Sequence, residues 1–245
     1  MTRPFTTRLL FAAPVASLVL GAASAAAGTC NATGGVVVPT VVELYTSEGC
    51  SSCPPADKWL SSLKGRPGVV SLAFHVDYWD RLGWKDRFAD AAWTSRQHDV
   101  SRRAGATFVY TPQIVVDGRD YRGWPALPPN GARPATVQIA LSGGGEDGAG
   151  AYVARIVRGP GAPMRLAGFW AVTEDGHVSQ VRAGENSGAT LRHDAVVREF
   201  IAVDPIGDAP LRFAPRTRAE SGAPRRVQFV VTDADSGKPL QAAGC

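Results

Sequence analysis

The sequence predicts an α/β fold, in which helices flank a central mixed sheet, followed by a β-rich, sandwich-like C-terminal segment. One observation is the order of elements: the β-branched apolar run at 41–44 predicts a buried strand, 56–63 has helical spacing, and 69–76 predicts a second buried strand. Strand, helix and strand in this order build parallel sheets. The other is that short strand-like runs recur beyond residue 150 without a clear helical pattern.

Further elements are predicted before residue 142. Helical spacing favours a helix over 86–104, and a third strand follows at 114–116. Asp117-Gly118 then predicts a tight turn into a returning strand. A closing helix is expected over 135–141.

The glycine-rich segment 142–150 has little to bury and much backbone freedom, so it predicts a linker. It separates an α/β domain at 36–141 from a β-rich segment at 151–245. Strands are expected in that segment at 152–157, 166–172, 178–182, 196–203 and 227–232.

The N-terminus has the pattern of a secretory signal peptide, predicted over 1–25. Arg3 and Arg8 precede an apolar stretch at 9–21, and small residues follow at 23–25. An uncleaved anchor is the alternative, but the stretch is short for a membrane span. Cleavage removes two arginines and lowers the net charge from +4 to +2, which does not favour nucleic acid as a partner. We therefore expect a periplasmic or secreted protein with no stable membrane span.

Two of the four cysteines, Cys50 and Cys53, have Cys-x-x-Cys spacing between the first strand and its helix. The thiolate is the reactive form of cysteine, and a helix N-terminus lowers the pKa of a nearby thiol. Cys50 precedes the helix, so we expect it to be the more exposed, attacking thiol and Cys53 to resolve the mixed disulfide. Glu48 would oppose thiolate formation if its carboxylate lay close. No cofactor is needed, because the pair carries the electrons itself.

Two other interpretations of this pair stay open. A structural disulfide is common in exported proteins. Half of a zinc or copper site would need two more ligands, and none of the four histidines has paired ligand spacing with the cysteines. We therefore assign no metal ligand, although His75 at the neighbouring strand end leaves a metal open.

A proline supports the redox interpretation. Thr111-Pro112 immediately precedes the third strand, and proline belongs at a strand start because it cannot donate to a sheet. Thioredoxin-like folds place a cis-proline at this point, facing the cysteines, where the residue before it can pair with a bound peptide. An ordinary trans-proline is the alternative.

Motifs spread along the chain point to one family. They are 47–57, 75–79 with Gly83-Trp84, Arg96-Gln97, 110–113 with 116–118, and 184–186 with Leu191 and His193. Together they resemble the exported thioredoxin-like family filed as domain of unknown function 1223. The resemblance covers nearly the whole mature chain. It implies a thioredoxin-like fold with an extra β-rich segment, and it leaves the activity open.

Residues after the second strand lie where α/β sites form. Asp77 or His75 is a candidate for handling the proton of Cys53, although Asp77 at a turn also suits a cap. Three aromatic residues are expected to line a substrate groove together with Thr111, or else to fill the core: Tyr78, Trp79 and Trp84. His177 is expected at the solvated surface and the loop 184–188 is expected to be structural.

Cys30 and Cys245 stand at the two ends of the mature chain. In an oxidising compartment we expect them to pair in a structural disulfide, with two unpaired thiols as the alternative.

The function predicted from these observations is that of an exported thiol–disulfide oxidoreductase acting on protein cysteines. Its partners would be protein thiols or disulfides and a redox partner. The alternatives are a non-catalytic binding module with a static disulfide and a copper- or zinc-handling protein.

Overall fold

A computed structural model describes Met1 and residues 29–128, 131–145 and 150–245. Apart from Met1, the predicted signal peptide at 1–25 lies outside the described residues, as do positions 146–149 of the predicted linker. The division into domains stays a prediction. Neither of the two described α-helices combines the length and apolarity needed to cross a membrane.

The described residues form two α-helices and fourteen strands. In chain order they are β1 (Cys30–Thr33), β2 (Thr40–Thr46), α1 (Pro54–Ser61), β3 (Val69–His75), α2 (Ala91–Arg103), β4 (Gln113–Val116), β5 (Arg119–Asp120), β6 (Val137–Gly143), β7 (Tyr152–Arg158), β8 (Leu166–Glu174), β9 (His177–Gln180), β10 (Thr190–His193), β11 (Val196–Val203), β12 (Leu211–Phe213), β13 (Arg225–Asp233) and β14 (Pro239–Gly244).

The largest sheet has eight strands in the order β14-β13-β8-β11-β3-β2-β4-β5. Within it, β2 and β3 are parallel, β11 also joins β3 in parallel, and β4 runs antiparallel to β2. A second sheet has the order β1-β6-β7-β12, and β9 and β10 form a hairpin. Strands from both sides of the glycine-rich segment therefore share one sheet.

The predicted α/β thioredoxin-like fold with flanking helices is wrong. The chain is mostly β, with 39% strand and 11% helix, and its strands form several sheets. The physical reason lies in β8, β11 and β13, which extend the sheet of β2 and β3. One face of these added strands packs against the second sheet, and only the other face meets a helix, α2.

The predicted helix at 135–141 is also wrong, because this segment contains β6. Val137, Ile139 and Leu141 are buried, whereas Gln138 and Ala140 between them are exposed. A period of two residues is that of a strand with one buried face.

Each helix covers one face of β2 and β3. Leu44 packs with Leu60 of α1, while its neighbour Tyr45 points to the opposite face and stacks on Phe74, with ring centroids 5.3 Å apart. Trp93 of α2 packs against Phe74 on that face. Because Thr46 pairs with His75, the residues that follow both strands emerge at one edge of the sheet.

The expected disulfide between Cys30 and Cys245 is confirmed, with Cα atoms 5.7 Å apart across 215 positions of sequence. Cys30 starts β1 of the four-stranded sheet and belongs to an apolar cluster with Trp170 of β8 and Phe229 of β13. The bond therefore links the two sheets, with Cys30 in the core between them and Cys245 exposed after β14.

Candidate functional site

Cys50 and Cys53 form a disulfide where the chain passes from β2 into α1, with Cα atoms 5.4 Å apart. The turn is closed by the N–H of Cys50, which donates to the Ser47 carbonyl, and by the N–H of Cys53, which donates to the Cys50 carbonyl. Cys53 is the N-cap of α1, and prolines occupy the first two helical positions. Proline suits these positions because an N–H there has no partner within the helix.

Both cysteines are fully buried, with 0% of their surface exposed. The expectation that Cys50 is the more exposed of the two is wrong. The two intervening residues, Ser51 and Ser52, are exposed. A protein thiol therefore reaches the disulfide only if the structure around it moves.

Thr111 lies against the disulfide. Its hydroxyl donates to Cys50 Sγ over 3.3 Å and accepts a hydrogen bond from Trp79 Nε1 at 2.8 Å. The peptide bond between Thr111 and Pro112 is cis, as expected. Ser52 Oγ is 3.4 Å from the same sulfur. Two hydroxyls thus stand beside Cys50.

Glu48 is a fully buried carboxylate two residues before Cys50. Trp84 Nε1 donates to Glu48 Oε2 at 2.7 Å, and His193 Nε2 is 3.3 Å from Glu48 Oε1. Burial acts to raise the pKa of Glu48, but the neighbouring side chains of His193, Ser179 and Trp84 outweigh it, and the pKa lies below its ordinary value. A negative charge is therefore held close to the disulfide.

A buried ion pair contacts the backbone of the same turn. His75 Nδ1 lies 2.7 Å from Asp86 Oδ2, which also accepts the backbone N–H of Glu48 at 2.9 Å. Burial acts to raise the pKa of Asp86, but the charge of His75 and these hydrogen bonds lower it to about 2. Burial acts to lower the pKa of His75, and Asp86 outweighs it, so this pKa is raised.

Asp57 is a third buried carboxyl, one helical turn after Cys53. Its N–H donates to the Cys53 carbonyl at 3.1 Å, and its Oδ2 accepts from Thr46 Oγ1 at 3.1 Å. Burial raises the pKa of Asp57, although His193 and His75 oppose this. A cavity of about 360 Å³ between α1 and β10 is lined by Asp57 and His193 and leads to this carboxyl.

The loop between β9 and β10 closes over the disulfide turn, a contact that the sequence analysis missed. Asn186 Nδ2 donates to the carbonyls of Glu48 and Cys50, both at 2.9 Å. Glu185 Oε2 accepts from the N–H of Ser51 at 3.0 Å and from its hydroxyl at 2.8 Å. In the sequence, only the Gly-Glu-Asn motif pointed to this loop, and nothing in the motif indicates that it contacts residues 134 or more positions earlier.

The other predicted site residues contact α2. Asp77 Oδ1 accepts from Thr94 Oγ1 at 2.6 Å, and Tyr78 donates its hydroxyl hydrogen to Gln97 Oε1 over 3.3 Å. The structure thus brings Thr111, Trp79 and Trp84 to the disulfide turn directly or through one residue, and it places Asp77 at the helix. A proton-handling role of Asp77 stays a prediction.

Among the described residues, Glu174, His177 and Glu220 form a group whose ligand atoms all lie within 4.8 Å of one another. His177 is buried, so its expected surface position is wrong. Arg87 contacts Glu220 at 2.9 Å, and Arg198 lies 3.6 Å from Glu174. Guanidinium groups therefore supply the positive charge that a cation would bring, and the group contains neither Cys50 nor Cys53.

Residues 41–232 match the family described as "Protein of unknown function (DUF1223)". The chain belongs to this family. The matched range contains the disulfide turn, Thr111-Pro112 and the β9–β10 loop, so the whole site lies within the family's extent. No curated protein matches the chain.

Two solved structures are similar to the DUF1223 chain. Protein AGR_C_4864 from Agrobacterium tumefaciens is 25% identical and has a TM-score of 0.57, with 85% of this chain and 94% of that chain covered. HBP35 of Porphyromonas gingivalis is 13% identical, with a TM-score of 0.53 and coverage of 86% and 76%. The second likeness concerns the fold alone.

Proposed function

We propose that this protein is an exported thiol–disulfide oxidoreductase that acts on protein cysteines through Cys50 and Cys53. The observation that carries the proposal is the position of the disulfide at a helix start, with the Thr111 hydroxyl 3.3 Å from Cys50 Sγ. A hydroxyl at this distance stabilises a thiolate by hydrogen bonding, and the thiolate is the form that attacks and leaves.

The proposed exchange proceeds through a mixed disulfide. A substrate thiolate attacks Cys50 or, in the reverse direction, the Cys50 thiolate attacks a substrate disulfide. In the reverse direction one substrate sulfur leaves as a thiolate, and Cys53 then attacks Cys50 and releases the second. Two electrons move between the substrate and the cysteine pair, and two protons accompany complete conversion of a disulfide to thiols.

Asp57 supports proton transfer at Cys53. Its pKa is raised by burial, so the carboxyl exchanges a proton more readily near neutral pH than an exposed aspartate does. Its backbone N–H contacts the Cys53 carbonyl, and the adjoining cavity connects it to β10. We therefore propose Asp57, rather than Asp77, as the carboxyl that serves the resolving thiol.

Two disulfides fit an oxidising, extracytoplasmic compartment, where such bonds persist. We propose a periplasmic or secreted location and protein thiols or disulfides as substrates. A redox partner would restore the pair after each turnover. In this proposal Thr111, Trp79 and Trp84 lie on the side from which a substrate approaches.

A second candidate is a binding module whose Cys50–Cys53 disulfide is static. The specific observation in its favour is that both cysteines are 0% exposed. A static bond with buried sulfurs would resist reduction under native conditions.

Turnover of a disulfide substrate distinguishes the two functions. We expect the protein to catalyse reduction of insulin or reactivation of a scrambled disulfide protein, and Cys50→Ser to lower the rate to that of the uncatalysed reaction. The variant with Cys30 and Cys245 both replaced by Ala serves as the matched control, and it should keep the activity under conditions in which circular dichroism shows it to be folded. Equal rates for the wild type and Cys50→Ser would refute the oxidoreductase and favour the static module.

A further inference from the structure

The start of α1 offers few N–H groups to a thiolate. Pro54 and Pro55 occupy its first two positions and have no N–H. The N–H groups of Ala56 and Asp57 both donate to the Cys53 carbonyl. The lowering of a thiol pKa that a helix start normally produces is therefore reduced here.

Ser51 follows Cys50 directly, and its backbone N–H donates a hydrogen bond to a carboxylate instead. Glu185 Oε2 accepts from this N–H at 3.0 Å and from the Ser51 hydroxyl at 2.8 Å. These hydrogen bonds lower the pKa of Glu185, so its side chain is ionised at neutral pH. Asn186 donates to the carbonyl of Cys50 at 2.9 Å and fixes the loop in this position.

The buried charged groups near the turn do not cancel the negative charge of Glu185. Glu48 and Asp86 both have a lowered pKa and are ionised at neutral pH. His75, whose pKa is raised, offsets one of them. Asp57, whose pKa is raised by burial, adds no positive charge in either state. Glu185, Glu48 and Asp86 contribute three negative charges and His75 one positive charge. His193, 3.3 Å from Glu48, adds at most one more positive charge, so the sum over these groups stays negative.

We propose that Glu185 is a positioning residue whose charge keeps the reduction potential of the Cys50–Cys53 pair low, so that the dithiol form donates electrons to substrate disulfides. The inference rests on the proposed function, because it assigns the direction of that exchange. A nearby carboxylate disfavours the Cys50 thiolate and hence the reduced state. When the reduced form of a cysteine pair is stabilised, the pair is a stronger oxidant. When the reduced form is destabilised, the reduction potential falls and the pair is a stronger reductant.

In this direction the Cys50 thiolate attacks a substrate disulfide, and the first substrate sulfur leaves as a thiolate. Cys53 then attacks Cys50, the Cys50–Cys53 bond forms and the second substrate sulfur leaves. The cysteine pair loses two electrons and the substrate gains them. A dithiol electron donor must then return the pair to its reduced form.

The test compares Glu185→Gln with the wild type in redox equilibrium with dithiothreitol. The variant removes the charge and keeps an oxygen that accepts from Ser51. We expect the equilibrium constant for reduction to rise about threefold, which corresponds to about 15 mV for a two-electron couple. The pKa of the Cys50 thiol, followed by ultraviolet absorbance of the thiolate, should fall. Asp208→Asn, the same loss of charge between β11 and β12, should change neither quantity.

Ionic strength separates charge from a merely structural effect. Because Glu185 is exposed, salt should shrink the difference between Glu185→Gln and the wild type. An unchanged or smaller equilibrium constant in the variant, or a rise that persists at high salt, would overturn the inference. Insulin turnover is measured on the same samples: a salt-sensitive shift without turnover would refute the oxidoreductase and the direction assigned to it, while the effect of Glu185 on the potential would stand. Turnover without a shift would refute only the inference.

Discussion

The two disulfides of this protein have contrasting surroundings. Cys30 and Cys245 are 215 positions apart in the sequence, and Cys30 packs in an apolar cluster between two sheets. Cys50 and Cys53 are three positions apart, in a turn surrounded by hydroxyls, carboxylates and histidines. Their exposure also differs: Cys50 and Cys53 are both fully buried, whereas Cys245 is exposed although its partner Cys30 is buried.

From this contrast we infer that the length of the closed loop and the polar neighbours determine whether a disulfide serves mainly stability or thiol exchange. A bond that closes a long loop restricts the unfolded chain strongly, whereas a bond that spans three positions does so weakly. Thiolate chemistry, in turn, depends on nearby donors and charges. We therefore expect Cys30–Cys245 to contribute mainly to stability, and the proposed exchange to take place at Cys50–Cys53.

The largest expected effect is on stability. Replacing Cys30 and Cys245 together by Ala should lower the free energy of unfolding by about 5 kcal/mol, because the unfolded chain regains the entropy of a very long loop. Replacing Cys50 and Cys53 together by Ala should cost about 2 kcal/mol by the same reasoning. Denaturant titration of both variants measures the difference. Equal losses would contradict this division of roles.

The next largest expected effect is a dependence of the free energy of unfolding on pH, which arises from the buried pair of Asp86 and His75 beside the Cys50–Cys53 turn. The pKa of Asp86 is lower in the folded protein than in the unfolded chain, so its stabilisation is present above about pH 4 and is lost as the pH falls through about 2. Asp86→Asn should therefore cost about 2 kcal/mol at neutral pH, and this cost should shrink toward pH 2.

Urea unfolding of Asp86→Asn and the wild type at several pH values follows this change, with Asp208→Asn as a variant of equal charge change. A cost of Asp86→Asn that stays constant between pH 5 and pH 2 would show that the ion pair with His75 is not its source.

The smallest expected effect concerns one hydroxyl. Thr111→Val removes the donor that lies 3.3 Å from Cys50 Sγ and nearly preserves the shape of the side chain. We expect the pKa of the Cys50 thiol in the reduced protein to rise by about 0.7, since a single hydrogen bond contributes about 1 kcal/mol. Thr111→Ser keeps the hydroxyl and should behave like the wild type. Identical values for all three proteins would remove Thr111 from the site.

Local patterns predicted the elements around the disulfide well. The apolar runs that became β2, β3 and β4 were recognised as strands, and Pro54 marked the start of α1. The cis bond before Pro112 and the pairing of Cys30 with Cys245 were also expected and are confirmed. These features depend on residues whose conformation or chemistry is restricted in itself.

Long-range pairing was not predictable in the same way. The fold class was wrong because nothing in the pattern of β11 shows that it joins β3, a strand more than a hundred positions earlier. The same holds for Asn186 and Glu185, whose partners in the disulfide turn lie 134 to 138 positions earlier. His177 was misplaced because its packing partner Phe88, with ring centroids 4.7 Å apart, comes from another segment.

The most direct test of the account maps which disulfide opens as the native protein is equilibrated with increasing ratios of reduced to oxidised dithiothreitol. Free thiols are trapped by alkylation at each ratio and assigned by mass analysis of peptides. We predict that Cys50 and Cys53 become labelled together and reversibly while Cys30–Cys245 stays oxidised. Labelling of Cys30 and Cys245 first, or labelling of Cys50 and Cys53 only after the protein unfolds, would contradict the account.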